Sequence, residues 1–121
     1  MPYFKLDTNI PQSQVTSEFL KSTSKLVAST LGKPESYVTV QVNGDQNIIW
    51  GGTNEPCGFA TLMSIGQLGI EENKKHAAAL YDHVCKHLGI PKDRMYISFV
   101  DSLPSTMGYN GSTFHPMLGN K

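Results

Sequence analysis

The sequence predicts an α/β (α+β) fold, a four-stranded mixed sheet with two helices on one of its faces. Three observations carry this. Short alternating apolar stretches, the mark of strands, are interleaved with two long stretches of helical period. Each helical stretch is closed by a glycine with a proline two residues on. The chain also repeats itself: LGKPESYVTV at 31–40 returns as LGIPKDRMYISF at 88–99. Two tandem strand-helix-strand units therefore follow one another within a single domain spanning residues 1–121.

The elements follow in order. Tyr3 to Thr8 alternates, with Phe4 and Leu6 on one side, and reads as the first strand. From Ser13 the period lengthens. Val15, Phe19 and Leu26, with the row Leu20, Val27 and Leu31, suit an amphipathic helix ending at Gly32, with Pro34 beyond. Tyr37 to Val42 alternates as a half-buried strand. Asn43-Gly44 is a two-residue hairpin signal, so Asn47-Ile48-Ile49-Trp50 is expected to return as a short strand. In the second half Cys57 to Ile65 is a largely apolar strand. Glu71 to Leu88 is a helix with Ala77, Tyr81, Val84 and Leu88 on one face, and Met95 to Val100 is the last strand. Asn110-Gly111 reads as a turn rather than, with Ser112, a glycosylation acceptor. Residues 115–121 read as a loose tail. With both helices on one face, the other face has no third helix to cover it, and symmetric self-association is expected to do so.

Ten basic and ten acidic residues cancel, which gives no nucleic-acid or membrane footprint. Lys5 and Asp7 interrupt the N-terminal region, so no secretory leader is expected, and the chain reads as cytoplasmic when made. Cys57 and Cys85 are too few for a disulfide framework.

The residues able to do chemistry begin at Met1-Pro2. Once Met1 is removed, Pro2 is a secondary amine, and an α-amino group with a pKa of roughly 8 becomes a general base after a modest downward shift. With Met1 in place the same nitrogen is a non-basic tertiary amide, and proline also suits a strand start for purely structural reasons. Lys33, just past Gly32, favours a helix C-terminus; beside Pro2 it would lower the amine's pKa or hold a carboxylate. Tyr96 and Ser98 lie on the opposite strand face from Met95, Ile97 and Phe99, and so point to the uncovered side. His76, His83 and His87 share one side of the second helix, but no nearby carboxylate or thiol completes a metal site, and they read as a polar flank. Gly51-Gly52 lacks the strand-to-helix context of a phosphate loop, and Cys57 reads as a small core residue.

Taken together, Met1-Pro2, Asp7 to Pro11, Gly32-Lys33-Pro34, Gly51-Gly52, Glu55-Pro56-Cys57, Ser64-Ile65-Gly66, Asp93 to Ile97 and Asn110 to Phe114 run in register from residue 2 to residue 114. In these pieces the chain closely resembles the macrophage migration inhibitory factor family of the tautomerase superfamily. The last seven residues lie beyond the usual end of that family's chain, and either dangle or fold back across the mouth of its pocket beside Phe114.

The resemblance implies a homotrimer whose sheets wrap a central β-barrel, with a pocket at each subunit boundary. It implies keto-enol tautomerase activity on phenylpyruvate-like and dopachrome-like acids, with Pro2 as the base and no metal or organic cofactor. Lys33 and the Ile65 backbone would hold the substrate carboxylate. Tyr96, and Ser98 where the family often has asparagine, would come from the adjacent subunit. Tyr3, Tyr37, Met63, Met107, Tyr109 and Phe114 would line the apolar walls. The resemblance further implies a cytokine-like immune and inflammatory regulator, secreted without a signal peptide and acting on a cell-surface receptor. The alternative is a non-enzymatic receptor-binding cytokine with a vestigial pocket. Three positions depart from the family pattern. Ala60 replaces the second cysteine of a vertebrate Cys-x-x-Cys pair, which removes that redox route. Gln12 replaces a basic receptor-contacting residue, although Asp45 is kept. Tyr109 replaces a rim tryptophan, which shifts substrate preference.

Overall fold

The structure, a computed structural model, describes residues 1–118. Its elements are β1 (Tyr3–Thr8), α1 (Ser17–Leu31), β2 (Thr39–Asn43), β3 (Gly58–Ser64), α2 (Ile70–Leu88), β4 (Met95–Asp101), β5 (Gly108–Tyr109), β6 (Ser112–Thr113) and α3 (His115–Leu118). The main sheet runs β2-β1-β3-β4. β1 pairs parallel with β2 and β3 parallel with β4, while the central β1–β3 ladder is antiparallel, with Tyr3 opposite Met63. The sheet is mixed because each strand-helix-strand unit contributes a parallel pair and the two units meet head to tail.

The pleat sorts the side chains. Phe4 and Leu6 of β1, with Ala60 and Leu62 of β3, are fully buried beneath the helices, packed with Val27 and Leu31 of α1 and with Leu80 and Val84 of α2. Thr8 ends the same buried row; its hydroxyl donates to the Cys57 carbonyl at 2.7 Å and accepts the Ile10 N–H at 3.2 Å, so it goes inside with its hydrogen bonds made. Thr16 caps α1 by accepting the Phe19 N–H at 3.1 Å. Gly32 and Gly89 end α1 and α2 at φ 64° and 70°, the left-handed conformation that glycine adopts without penalty.

Five expectations need correction. α1 begins at Ser17, after a 3-10 turn over Gln12–Gln14, because Thr16 rather than Ser13 supplies the cap. β2 begins at Thr39, and Glu35–Tyr37 forms a 3-10 turn that takes Tyr37 out of the sheet. The returning strand at 47–50 does not form; Trp50 makes only an isolated bridge to Thr53. Gly44 is instead a point of close approach. A Cβ there would lie 2.7 Å from the Gln12 Cα, and the loop crosses the end of β1 through Asp45 N–H to Ile10 O at 2.8 Å and Gln46 N–H to Thr8 O at 3.0 Å.

The buried face of α2 is His76, Leu80, Val84 and Leu88, with Ala77 and Tyr81 half-buried beside it. His76 is therefore no polar flank. It lies within 2.8 Å of both the Thr30 hydroxyl and the Gln67 carbonyl. His83 sits 2.9 Å from the Thr23 hydroxyl and stacks on Phe19, leaving only His87 exposed. Among the described residues no three metal-ligating side chains gather. The last correction concerns the tail: residues 115–118 form a helical turn, α3, and the rest of the expected loose segment lies outside the described residues. Asn110-Gly111 does turn the β5–β6 hairpin, at φ 51° and 84°. No described helix is long and apolar enough to cross a membrane.

Candidate active site

The first repeat leaves an opening where β1 begins. Pro2 is buried immediately before β1, and its carbonyl accepts the Thr39 N–H at 3.0 Å, which fixes it against the start of β2. The left-handed Gly32 ends α1 beside it and turns Lys33 back toward the sheet, the Lys33 N–H still bonded to Ala28 O at 3.0 Å. From there the Lys33 ammonium donates to the carbonyl of Ile65, just past β3. Burial holds the Lys33 pKa below its ordinary value, and the Asp101 carboxylate partly opposes that shift.

Around this cation lies a cavity of 290 Å³, lined by Met1, Lys33, Pro34, Tyr37, Phe114, Met117 and Leu118. An adjoining hollow of 260 Å³ shares Met1, Tyr37 and Phe114 and extends to Tyr109 and Thr39. Three aromatic rings make the wall. Tyr109 and Phe114 stack at 5.0 Å, and Tyr37 meets them edge-on at 5.5 and 6.1 Å. Met1 lines both spaces, and the pKa of its amine is lowered to about 6, by burial first and by the charge of Lys33 second. An apolar hollow with one cation suits a small carboxylate bearing a ring or other apolar group.

Lys33, Tyr37 and Phe114 line the cavity and Tyr109 the adjoining hollow, with the Ile65 carbonyl bonded to Lys33, whereas Pro2 is buried behind Met1 and lines neither space. Met107, expected on the apolar wall, lines neither space; its carbonyl takes the Phe114 N–H at 3.1 Å. Tyr3 and Met63 lie opposite one another on the outer face of the sheet, where the Tyr3 hydroxyl donates to Gln41 at 2.7 Å. Tyr96 and Ser98 are on β4, the edge strand across the sheet from β2, and both are exposed. Tyr96 packs 4.4 Å from Trp50 and 6.2 Å from Phe59. Within one chain these four do not reach the cavity. Sequence reasoning did not name Pro34, Met117 or Leu118 as lining residues, but of its two readings of the tail, dangling or folding back across the pocket mouth beside Phe114, residues 115–118 follow the second. The signal available was the apolar Met117-Leu118 pair in an otherwise polar tail.

Comparison with known proteins returns a consistent answer. The family model described as macrophage migration inhibitory factor (MIF) matches residues 1–115. The macrophage migration inhibitory factor homolog of Trichuris trichiura is 55% identical over 114 residues, 94% of this chain and 100% of its own length. That of Brugia malayi is 53% identical over 114 residues, covering 94% and 99%. The solved structure of macrophage migration inhibitory factor from Trichinella spiralis superposes with a TM-score of 0.90 at 50% identity, covering 93% of this chain and 99% of that one.

Proposed function

This chain belongs to the macrophage migration inhibitory factor family, and on that premise we propose that it is a keto-enol tautomerase of phenylpyruvate-like and dopachrome-like acids, with Pro2 as general base after removal of Met1. The observation that carries the reading is the setting of the chain's first amine. It lies beside Lys33 at an apolar cavity, and its basicity is depressed there to about 6. Removal of Met1 would move the free amine to Pro2, which is buried before β1; burial and a nearby cation both favour the neutral amine, the state a base requires.

In this mechanism Lys33, steadied by the Ile65 carbonyl, holds the substrate carboxylate, and the aromatic wall takes the ring. Pro2 removes a proton from the carbon beside the carbonyl. The protonated amine then returns that proton elsewhere on the delocalised enolate. A readily enolised acid needs no more than a base and a cation for this, and a positioned base supplies about 100- to 10,000-fold. Tyr96 and Ser98, exposed at the edge away from Pro2, would complete the pocket of a neighbouring subunit in a homotrimer whose sheets close into a barrel. We assign the protein a second role as a secreted, cytokine-like immune regulator acting through a cell-surface receptor.

The test uses protein whose mass shows Met1 to be absent. Ketonisation of enol-phenylpyruvate should fall at least about 100-fold in Pro2→Gly; equal turnover by the variant sinks the reading. A second reading, a receptor-binding cytokine with a vestigial pocket, is favoured by any form that keeps Met1, since Pro2 is then a non-basic amide. Full signalling potency in Pro2→Gly would separate the two roles.

A further inference from the structure

We propose that Met117 and Leu118 of α3 are specificity-determining residues that form an added apolar wall of the cavity and select acids with a large apolar substituent over short ones. The inference deepens the tautomerase reading and rests on it for the identity of the carboxylate-binding group, Lys33.

α3 is tied to the cavity by a chain of contacts. Phe114 is 4% exposed and stacked on Tyr109, and its N–H is bonded to Met107 O. From this anchor the His115 N–H bonds the Thr113 hydroxyl at 3.3 Å. The N–H groups of Met117 and Leu118 both reach back to Phe114 O, at 3.1 and 3.0 Å. The turn therefore brings the two side chains to the cavity, where they line it with Lys33, Pro34 and Tyr37.

Neither side chain is spent on the core. Met117 is 57% and Leu118 46% exposed, so each still has apolar surface to bury against a ligand. The cavity is thus amphipathic: Lys33 offers a charge for a carboxylate, and the α3 pair meets whatever apolar group that carboxylate carries. Met117 brings an unbranched, adaptable side chain, suited to closing over rings of different substitution. Both residues lie past residue 115, where the family match stops, so this wall belongs to this chain's own extension.

The test compares the Met1-free protein, a Met117→Ala/Leu118→Ala double variant, and a chain ending at Phe114. Two unreactive acids, 3-phenylpropanoate and propanoate, are titrated by NMR, and KM and kcat are measured for phenylpyruvate. The double variant should bind 3-phenylpropanoate about five- to twentyfold more weakly, with propanoate unchanged, and its loss in turnover should fall on KM. An unchanged ratio between the two acids overturns the proposal, as does tighter binding after truncation, which would make α3 an obstruction. If the truncated chain does not fold, the double variant decides, because it alters only exposed side chains. Normal binding selectivity without any turnover would retire the tautomerase reading and leave this one standing.

Discussion

The two strand-helix-strand units share a backbone plan but not a chemistry, and their difference is concentrated where each helix returns to its sheet. After α1 the chain reads Gly32-Lys33-Pro34, and after α2 it reads Gly89-Ile90-Pro91. Both glycines are left-handed, and both prolines lead into a 3-10 turn before the next strand. Ile90 is 1% exposed, and its Cδ1 lies 3.6 Å from where a Cβ on Gly58 would stand, so it plugs the start of β3. Lys33, in the matching place, leaves a cavity at the start of β1.

The end of the 3-10 turn differs in the same sense. Arg94 clamps the neighbouring loop through the carbonyls of Pro56, Trp50 and Glu55 at 3.0, 3.2 and 3.0 Å. Its counterpart Tyr37 holds nothing shut and presents a ring to the opening. A repeat can thus be specialised by two positions: one half is sealed, the other left open around a cation.

Exchanging those positions tests the division. Ile90→Lys places a cation in the sealed half, and urea unfolding should show a loss of about 3–5 kcal/mol, the usual cost of an uncompensated buried charge. Near-normal stability would mean that the second half also holds space. Arg94→Ala removes charged hydrogen bonds to the loop and should cost about 2 kcal/mol, read as a lowered Tm; no change would show that the loop is held by something else. Lys33→Ile gives the open half the sealed half's residue. It should lower kcat/KM for phenylpyruvate about tenfold and move the rising limb of its pH profile upward. The sign follows from charge: a neighbouring cation disfavours the protonated amine, so removing it lets the amine keep its proton to higher pH. Part of the depression should persist, because burial is the larger cause of the shift at the neighbouring Met1 amine.

The strands, the helices and their duplication were legible because they depend on local period and on Gly-Pro punctuation. Residues whose roles are set by distant partners were not. Asn43-Gly44 reads as a hairpin, yet the glycine is needed for the approach of Gln12, more than thirty residues earlier. His76 is polar by composition and enters the core only because Thr30 and Gln67 offer it hydrogen bonds across the helix pair. The meeting of Lys33 with the Ile65 backbone was legible only through the family resemblance of Gly32-Lys33-Pro34 and Ser64-Ile65-Gly66, since the two lie 32 residues apart. The α3 wall was legible only as one of two courses open to the tail, because a four-residue turn has too few residues to show a period, and Phe114 anchors it only in three dimensions.

The order β2-β1-β3-β4 leaves β2 and β4 each hydrogen-bonded on one side only within the chain, and Phe59 and Tyr96 are 51% and 62% exposed on the outer face. Open edges and exposed rings of this kind are templates for further pairing. Any association that covers them binds the folded chain and not the unfolded one, so mass action enters the unfolding equilibrium. The melting midpoint then becomes a function of protein concentration, and dilution alone acts as a denaturant.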